Sequence, residues 1–533
     1  DWFDAQFIRD WSNGPLLVRE DTGELLTTGD LNSNSLERDY LAWDATHQKV
    51  VEYSPQAGQY LSEHAEHGEL ALYGTFDIET PTGKISCKPA FQLYADACSD
   101  YTPSKAEELT DIPAQQIIDT ARLLHESGPV SYFTWTGTAQ QSQATQTGRA
   151  ISLFYALTGH IDAPGGNVWF SKPPVANLFG MELLTEEQRL KTLGLQERPL
   201  GPGTMGWITS YDLYKSIIEK EPYGIKAMVS FGGNPLLTKP NADGAAKVLE
   251  QLDFYVHADL FLNPTANYAD IILPVASPWE RAGLYPGFQI SQQADSLVQL
   301  RPAVVPPLGE SRGDSWIVFE LAKRLGLSDH FFGGDINTAL QHMIAPTGLT
   351  TAELKAHPEG ITLPLEMHYR KYRQQGFATP SKKLEIFSER FQKSGYAPLP
   401  QFEVEEGHNQ RYPLRLISAK WVAYCHSQQR QLPSLRKRMP EPLVELNPQT
   451  AEAYGIEEHD WVRIETSEGT IQARAKFNKS LAADVVCSQY GWWSDLQGDF
   501  HLNYNNIISD TDYDPISSSN TLRNFRCNIA RAK

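Results

Sequence analysis

"VSFGGNPLLTKP", residues 229–240, is the stretch on which the fold turns. An apolar run ends in Gly232-Gly233 and then Asn234-Pro235, the way a buried strand ends in a turn that lets another group approach the backbone. A dinucleotide fingerprint would continue G-x-G-x-x-G, and a P-loop would end in Gly-Lys-Ser/Thr. This stretch does neither, so what it binds has to be read from its neighbours.

Those neighbours alternate. A helix is predicted at "SYDLYKSIIEK" (210–220) and a strand at "IKAMVSF" (225–231). After the glycine turn come the helix "ADGAAKVLEQL" (242–252) and the strands "DFYVHAD" (253–259) and "DIILPVA" (270–276). This is half of a doubly wound parallel sheet, which takes ligands outside the carboxyl ends of its strands. Two of those ends carry Gly232-Gly233-Asn234 and Asp259.

Before this unit, residues 1 to about 110 are irregular and partly β, with turn signals such as "TTGDLNSNS" (27–35). A helix is then predicted from Asp111 and Pro113 to Gly128, a strand at "PVSYFTWTG" (129–137), and a helix at "QTGRAISLFYALTG" (146–159). Gly165-Gly166-Asn167 tip the loop that follows. Residues 300–410 contain one clear helix, "SWIVFELAKRLGL", in a proline-rich connecting region. From Tyr412 onward five short alternating runs, with a hairpin turn at Glu468-Gly469, predict a small closed barrel. The expected fold class is therefore α/β, with doubly wound parallel-sheet domains and a carboxyl-terminal six-stranded type of β-barrel. The expected divisions are 1–160, 161–411 and 412–533.

With 533 residues the chain has room for several cores. Its 41% hydrophobic and 21% charged residues are ordinary for a globular protein. A formal charge of −19 argues against nucleic acid or an anionic membrane as partner, and no apolar run approaches the length of a membrane span. Asp1 opens neither a signal peptide nor an initiator sequence, so the compartment is not legible there. The five cysteines, Cys87, Cys98, Cys425, Cys487 and Cys527, contain no C-x-x-C and are expected to be buried thiols.

The segments 134–168, 231–241, 257–280, 426–456 and 505–515, in that order, resemble the molybdopterin oxidoreductases of the dimethyl-sulfoxide-reductase superfamily. The resemblance covers most of the chain from about residue 110. It implies a molybdenum or tungsten ion carried by two pterin guanine dinucleotides (bis-molybdopterin guanine dinucleotide). Carried over by position, Gly232, Gly233, Asn234 and Pro235 match a guanosine site, with Asp259 near guanine or ribose and Asn263, Thr265 and Asp270 on the loop below. Gly165, Gly166 and Asn167 match a loop near the cofactor, and Gly137 falls in the segment before it. Lys420, His426, Ser427 and Gln428 match the pterin and phosphate segment, and Asn506 and Arg523 match late polar contacts. An aspartate suits the N1 and N2 donors of guanine, and Lys420 and Arg523 suit pyrophosphate.

Two features of the family are not visible: the cysteines of a [4Fe-4S] cluster and the segment supplying the protein ligand to the metal. The expectation is therefore a carboxyl-terminal portion of a catalytic subunit, with the cluster in polypeptide outside this sequence. A possible partner is an iron–sulfur electron-transfer subunit. The alternatives are a non-catalytic structural or electron-transfer relative and an unrelated nucleotide-binding protein. "HSQQRQLPSLRKRMPEPLVELNP" looks most like the branch with acetylene hydratase, transhydroxylase and arsenate or sulfur-compound reductases. That implies two-electron redox or hydroxyl transfer on a small-molecule substrate, with no catalytic residue assignable. In the last domain Glu458-His459-Asp460 stands where relatives have a Gly-Asp turn.

Overall fold

The strand before the glycine turn forms as Ala227–Phe231 and pairs in parallel with Phe254–Asp259, which pairs in parallel with Ile271–Pro274. The chain is described here by a computed structural model covering residues 2–32, 38–61, 69–403, 410–493 and 501–532. Asp1 and the last three residues of the turn-rich "TTGDLNSNS" run lie outside the described residues.

Tertiary contacts divide the chain into two units whose segments interleave along the sequence. The first comprises Asp1–Trp135, Gln146–Phe170 and Met367–Phe402. The second comprises Thr136–Thr145, Ser171–Glu366 and Glu403–Lys533, and it holds both the parallel sheet and the barrel.

In the first unit, two three-stranded antiparallel sheets account for the β texture before residue 110. One contains Tyr40–Asp44, Lys49–Ser54 and Gln59–Tyr60, and its core side chains Ala42, Val51 and Tyr53 are fully or almost fully buried. The helix expected after Pro113 forms as Ala114–Glu126. The strand expected at 129–137 does not form. Its peptide groups find a side chain instead: Tyr132 N donates to Asn167 Oδ1 at 2.6 Å, and Asn167 Nδ2 donates to Tyr132 O at 2.7 Å. The carboxamide satisfies both peptide groups of Tyr132 as a neighbouring strand would, and Val130 N reaches His160 Nδ1 at 3.2 Å.

In the second unit, Leu236, Leu237, Ala242, Ala245, Leu249 and Tyr255 pack into one buried cluster. The short helix Pro235–Thr238 and the longer Ala242–Leu249 are thereby fastened to the middle strand. The barrel is closed and has six strands. Around its circumference run Leu414–Ser418, Val485–Ser488, Leu443–Leu446, Thr470–Phe477, Trp461–Glu465 and Phe525–Arg531, which returns to the first. Five of these were expected. The sixth, "FRCNIAR", alternates Phe525, Cys527 and Ile529 with Arg526 and Asn528 and buries Cys527 and Ile529, a period-2 signal that the sequence reading passed over. The predicted hairpin is present, with Glu465 opposite Thr470 and Thr466 N donating to Gly469 O at 2.9 Å.

Cys87, Cys487 and Cys527 are buried thiols as expected, but Cys98 and Cys425 are exposed. Cys98 lies in the last turn of the helix Ala90–Ser99 and Cys425 precedes a turn, and neither place is covered by an apolar layer. Among the described residues no helix is long and apolar enough to cross a membrane.

Candidate cofactor site

At the carboxyl ends of the parallel strands, the glycine turn, the loop after Asp259 and the 427–431 turn enclose a cavity of about 450 Å3. Of the residues singled out from sequence, Gly232, Asn234, Asp259, Asn263, Ser427 and Gln428 line it. Gly232 has a φ of +62°, and a Cβ placed on it would meet nothing within 4 Å. At Gly233 the nearest atom is Ser230 Cβ, at 3.9 Å. The backbone is therefore open to a ligand at both positions.

The turn is held rigidly from behind. Asn234 Oδ1 accepts from Thr265 Oγ1 at 2.7 Å, and Asn234 Nδ2 donates to Ser427 Oγ at 3.3 Å. Both capacities of this amide are spent on positioning, and fully buried Thr265 is its brace rather than a wall of the cavity. Asp259 accepts from Leu260 N at 2.6 Å and from Asn263 Nδ2 at 2.8 Å, which aims the carboxylate at the loop mouth. Beneath it, buried His257 contacts Asn263 Nδ2 at 3.3 Å and Tyr255 OH at 2.8 Å.

Beside the cavity, Lys420 and His426 line a recess of about 10 Å3 with Trp421, Tyr424, Arg430 and Tyr490. His426 is in the left-handed region at φ +54°, and its Nδ1 lies 2.9 Å from Tyr490 OH. Burial first, then the charges of Lys420 and Arg430, hold its imidazole below its usual value. Arg430 is 4% exposed. It donates to the backbone oxygens of His426 and Tyr490, and its guanidinium sits 4.7 Å from the Tyr424 ring centroid and 5.0 Å from that of Trp492. Burial pushes its pKa down, and no carboxylate pairs with it among the described residues. Three buried N–H donors lining the recess have no partner among the described residues: Trp421 Nε1, Arg430 Nε and Gln489 Nε2. Orphaned donors beside a lysine and a buried guanidinium match the chemistry of an anionic, acceptor-rich group such as a pterin phosphate, while the recess itself has room for about one water.

The other sequence candidates lie elsewhere. Pro235 opens the helix Pro235–Thr238. Asp270 lies at the amino ends of the strands, where its Oδ2 accepts from Tyr255 N at 2.7 Å. Gly137 and Arg523 meet each other, with Arg523 Nη1 3.7 Å from a Cβ built on Gly137, and Arg523 Nε donates to Gln140 at 3.1 Å. Asn506 donates its backbone N–H to Asn503 O, whereas its neighbours Asn503 and Asn505 reach Leu236 O and Leu237 O at 2.8 and 2.7 Å. In the first unit, Gly166 packs so tightly that a Cβ would stand 2.1 Å from His160 O. Gly165 sits at φ +80°, and fully buried Asp162 ties this loop to Lys371, whose Nζ lies 2.9 Å from its Oδ1.

Sequence reading passed over Trp279, Arg281, Asp314 and Gln431, which also line the cavity, and Trp421, Arg430 and Gln489 in the recess. Arg430 stands inside the quoted "HSQQRQ" run, where a single arginine reads as a surface cation. Among the described residues no group of three or more His, Cys, Asp or Glu is placed to hold a metal.

The family profile described as "Molybdopterin oxidoreductase" matches residues 85–324, and that described as "Molydopterin dinucleotide binding domain" matches residues 414–526. The chain belongs to the molybdopterin oxidoreductases. Within this family it is 27% identical to the dopamine dehydroxylase of Eggerthella lenta over 87% of this chain and 55% of that protein. It is 25% identical to the F420-dependent formate dehydrogenase subunit alpha of Methanocaldococcus jannaschii over 74% and 58% respectively. The solved acetylene hydratase from Pelobacter acetylenicus superposes with a TM-score of 0.76 at 24% identity, covering 83% of this chain and 66% of that one, and so shares its fold. The chain spans little more than half the length of these two curated relatives. Its dinucleotide-binding domain is the closed barrel, and the cofactor of this molybdopterin oxidoreductase is a molybdenum or tungsten bis-pterin guanine dinucleotide.

Proposed function

We propose that this chain forms the greater part of the cofactor clamp of an enzyme that carries out two-electron redox or hydroxyl-transfer chemistry on a small substrate. One observation carries the reading: the glycine turn, Asp259 and the 427–431 turn share one cavity, beside a recess with three unpartnered N–H donors. The bound metal–pterin group supplies the electron-pair chemistry. This chain's residues bind and orient it. Gly232 and Gly233 offer backbone to the guanosine end, and Asp259 accepts from the N1 and N2 donors of guanine. Lys420, Trp421, Arg430 and Gln489 offset or hydrogen-bond the phosphates, and His426, neutral near pH 7, is steadied by Tyr490.

Relatives named for dehydroxylation and for formate dehydrogenation support this reaction class, and the name "subunit alpha" supports an electron-transfer partner subunit. The test is the double variant Gly233→Val, Asn234→Asp in the complete enzyme, with pterin guanine dinucleotide and metal measured in the purified protein. Loss of both is expected. Wild-type content would reduce the stretch to a plain turn.

A further inference from the structure

The first unit contains a second cavity, of about 310 Å3, bounded by the turn that joins strands Lys49–Ser54 and Gln59–Tyr60 and by the segment around residues 372–383. Its lining contains three cations, Arg373, Lys382 and Lys383, and no aspartate or glutamate. In a chain with a formal charge of −19 that is a local reversal of sign. None of the three forms an ion pair among the described residues. Four glutamines, Gln56, Gln59, Gln374 and Gln375, supply further amide donors at the rim. Trp11, Tyr53 and Tyr372 form apolar walls.

Lys383 anchors this cavity from below. It is 5% exposed, and of the three donors of its ammonium group one is used among the described residues, on Asp10 O at 2.6 Å. Its Nζ stands 4.7 Å from the centroid of Tyr53 and 5.1 Å from that of Tyr60, whose own hydroxyl is buried without a partner among the described residues. Burial lowers its pKa to about 8, the mark of a cation whose charge is incompletely offset. Arg373 and Lys382 are exposed at the mouth, so an anion can reach them from solvent.

We propose that this cavity binds a small oxyanion, gripped between Arg373, Lys382 and Lys383. Charge-assisted bonds to a carboxylate or a phosphate are the contacts these unpaired donors lack. The cavity is large enough for a small organic acid as well as an inorganic ion. The proposal does not depend on the cofactor reading, because every lining residue lies in the first unit.

The experiment is a thermal-shift and calorimetric titration of the purified complete enzyme with inorganic phosphate and, separately, acetate, each against sodium chloride at equal ionic strength. A saturable stabilisation by one of them, absent with chloride, is expected, and the arm that responds identifies phosphate or carboxylate as the ligand chemistry. The double variant Arg373→Gln, Lys382→Gln changes only exposed side chains and should weaken that binding about tenfold or more. Lys383→Met should abolish it. If Lys383→Met fails to fold, the exposed pair decides. Equal stabilisation by chloride, or unchanged affinity in the double variant, overturns the proposal.

Discussion

Asn234 and Ser427, separated by 193 positions in sequence, meet at 3.3 Å through Nδ2 and Oγ. The contact joins the end of a parallel strand to the turn that follows the first barrel strand, and the cofactor cavity opens beside it. A double-mutant cycle with Asn234→Ala and Ser427→Ala should give a coupling of about 0.5–1.5 kcal/mol in stability, the range of one neutral hydrogen bond. Pterin content measured in the same proteins should fall more for Asn234→Ala, which also frees Thr265 Oγ1.

Arg430 should matter beyond its charge. Arg430→Met keeps most of the volume between Tyr424 and Trp492 but removes the bonds to His426 O and Tyr490 O. A loss of about 2–4 kcal/mol is expected from the two abandoned carbonyls and the lost ring contacts. Arg430→Lys should recover only part of it, because an ammonium cannot span both carbonyls as a planar fork does. Thermal unfolding and bound pterin are the readouts.

The imidazole of His426 gives a pH test. Burial and the neighbouring Lys420 and Arg430 hold it below its ordinary value of 6.5, so the folded chain refuses a proton that the unfolded chain accepts. Its stabilising contribution is complete above the unfolded value and is lost as pH falls through that value toward the folded one. Lys420→Met should raise the folded value toward normal, as read from imidazole resonances in an NMR titration. No change would mean that Lys420 does not face the ring.

His459 occupies a left-handed conformation at φ +70° in the turn before the strand Trp461–Glu465. Its N–H reaches Ala475 O at 3.0 Å, a bond that glycine would keep. His459→Gly should stabilise the barrel by about 1 kcal/mol, since relief of left-handed strain outweighs the added chain entropy. A raised thermal midpoint checks it, and a lowered one would show that the imidazole makes a contact of its own.

Asp162 ties the 162–169 loop to Lys371, with the carboxylate fully buried. Asp162→Ala abandons the N–H groups of Trp169 and Lys371 as well as the lysine charge. A cost of about 3–5 kcal/mol is expected, together with faster proteolysis between residues 160 and 170. Asp162→Asn should fall between wild type and Asp162→Ala.

The sequence by itself determined the elements with strong periodicity: the parallel strands, the glycine turn, the helix after Pro113 and five of the barrel strands. Those follow from residue patterns within a few positions, and the ordered motifs made the family recognisable. It also picked six residues that the cavity unites. Only the tertiary structure decided the rest. The Tyr132 strand failed because Asn167, 35 residues later, satisfies its peptide group. The barrel closes because Phe525–Arg531 pairs on one side with Leu414–Ser418 and on the other with Trp461–Glu465, and Asn503 and Asn505 rather than Asn506 hold the helix after the glycine turn. Arg430 looks like any surface cation until its burial between two rings is seen. In each case the deciding energy belongs to a contact between distant residues. Local propensity reports what a segment prefers, while hydrogen-bond satisfaction and burial depend on which segments arrive beside it.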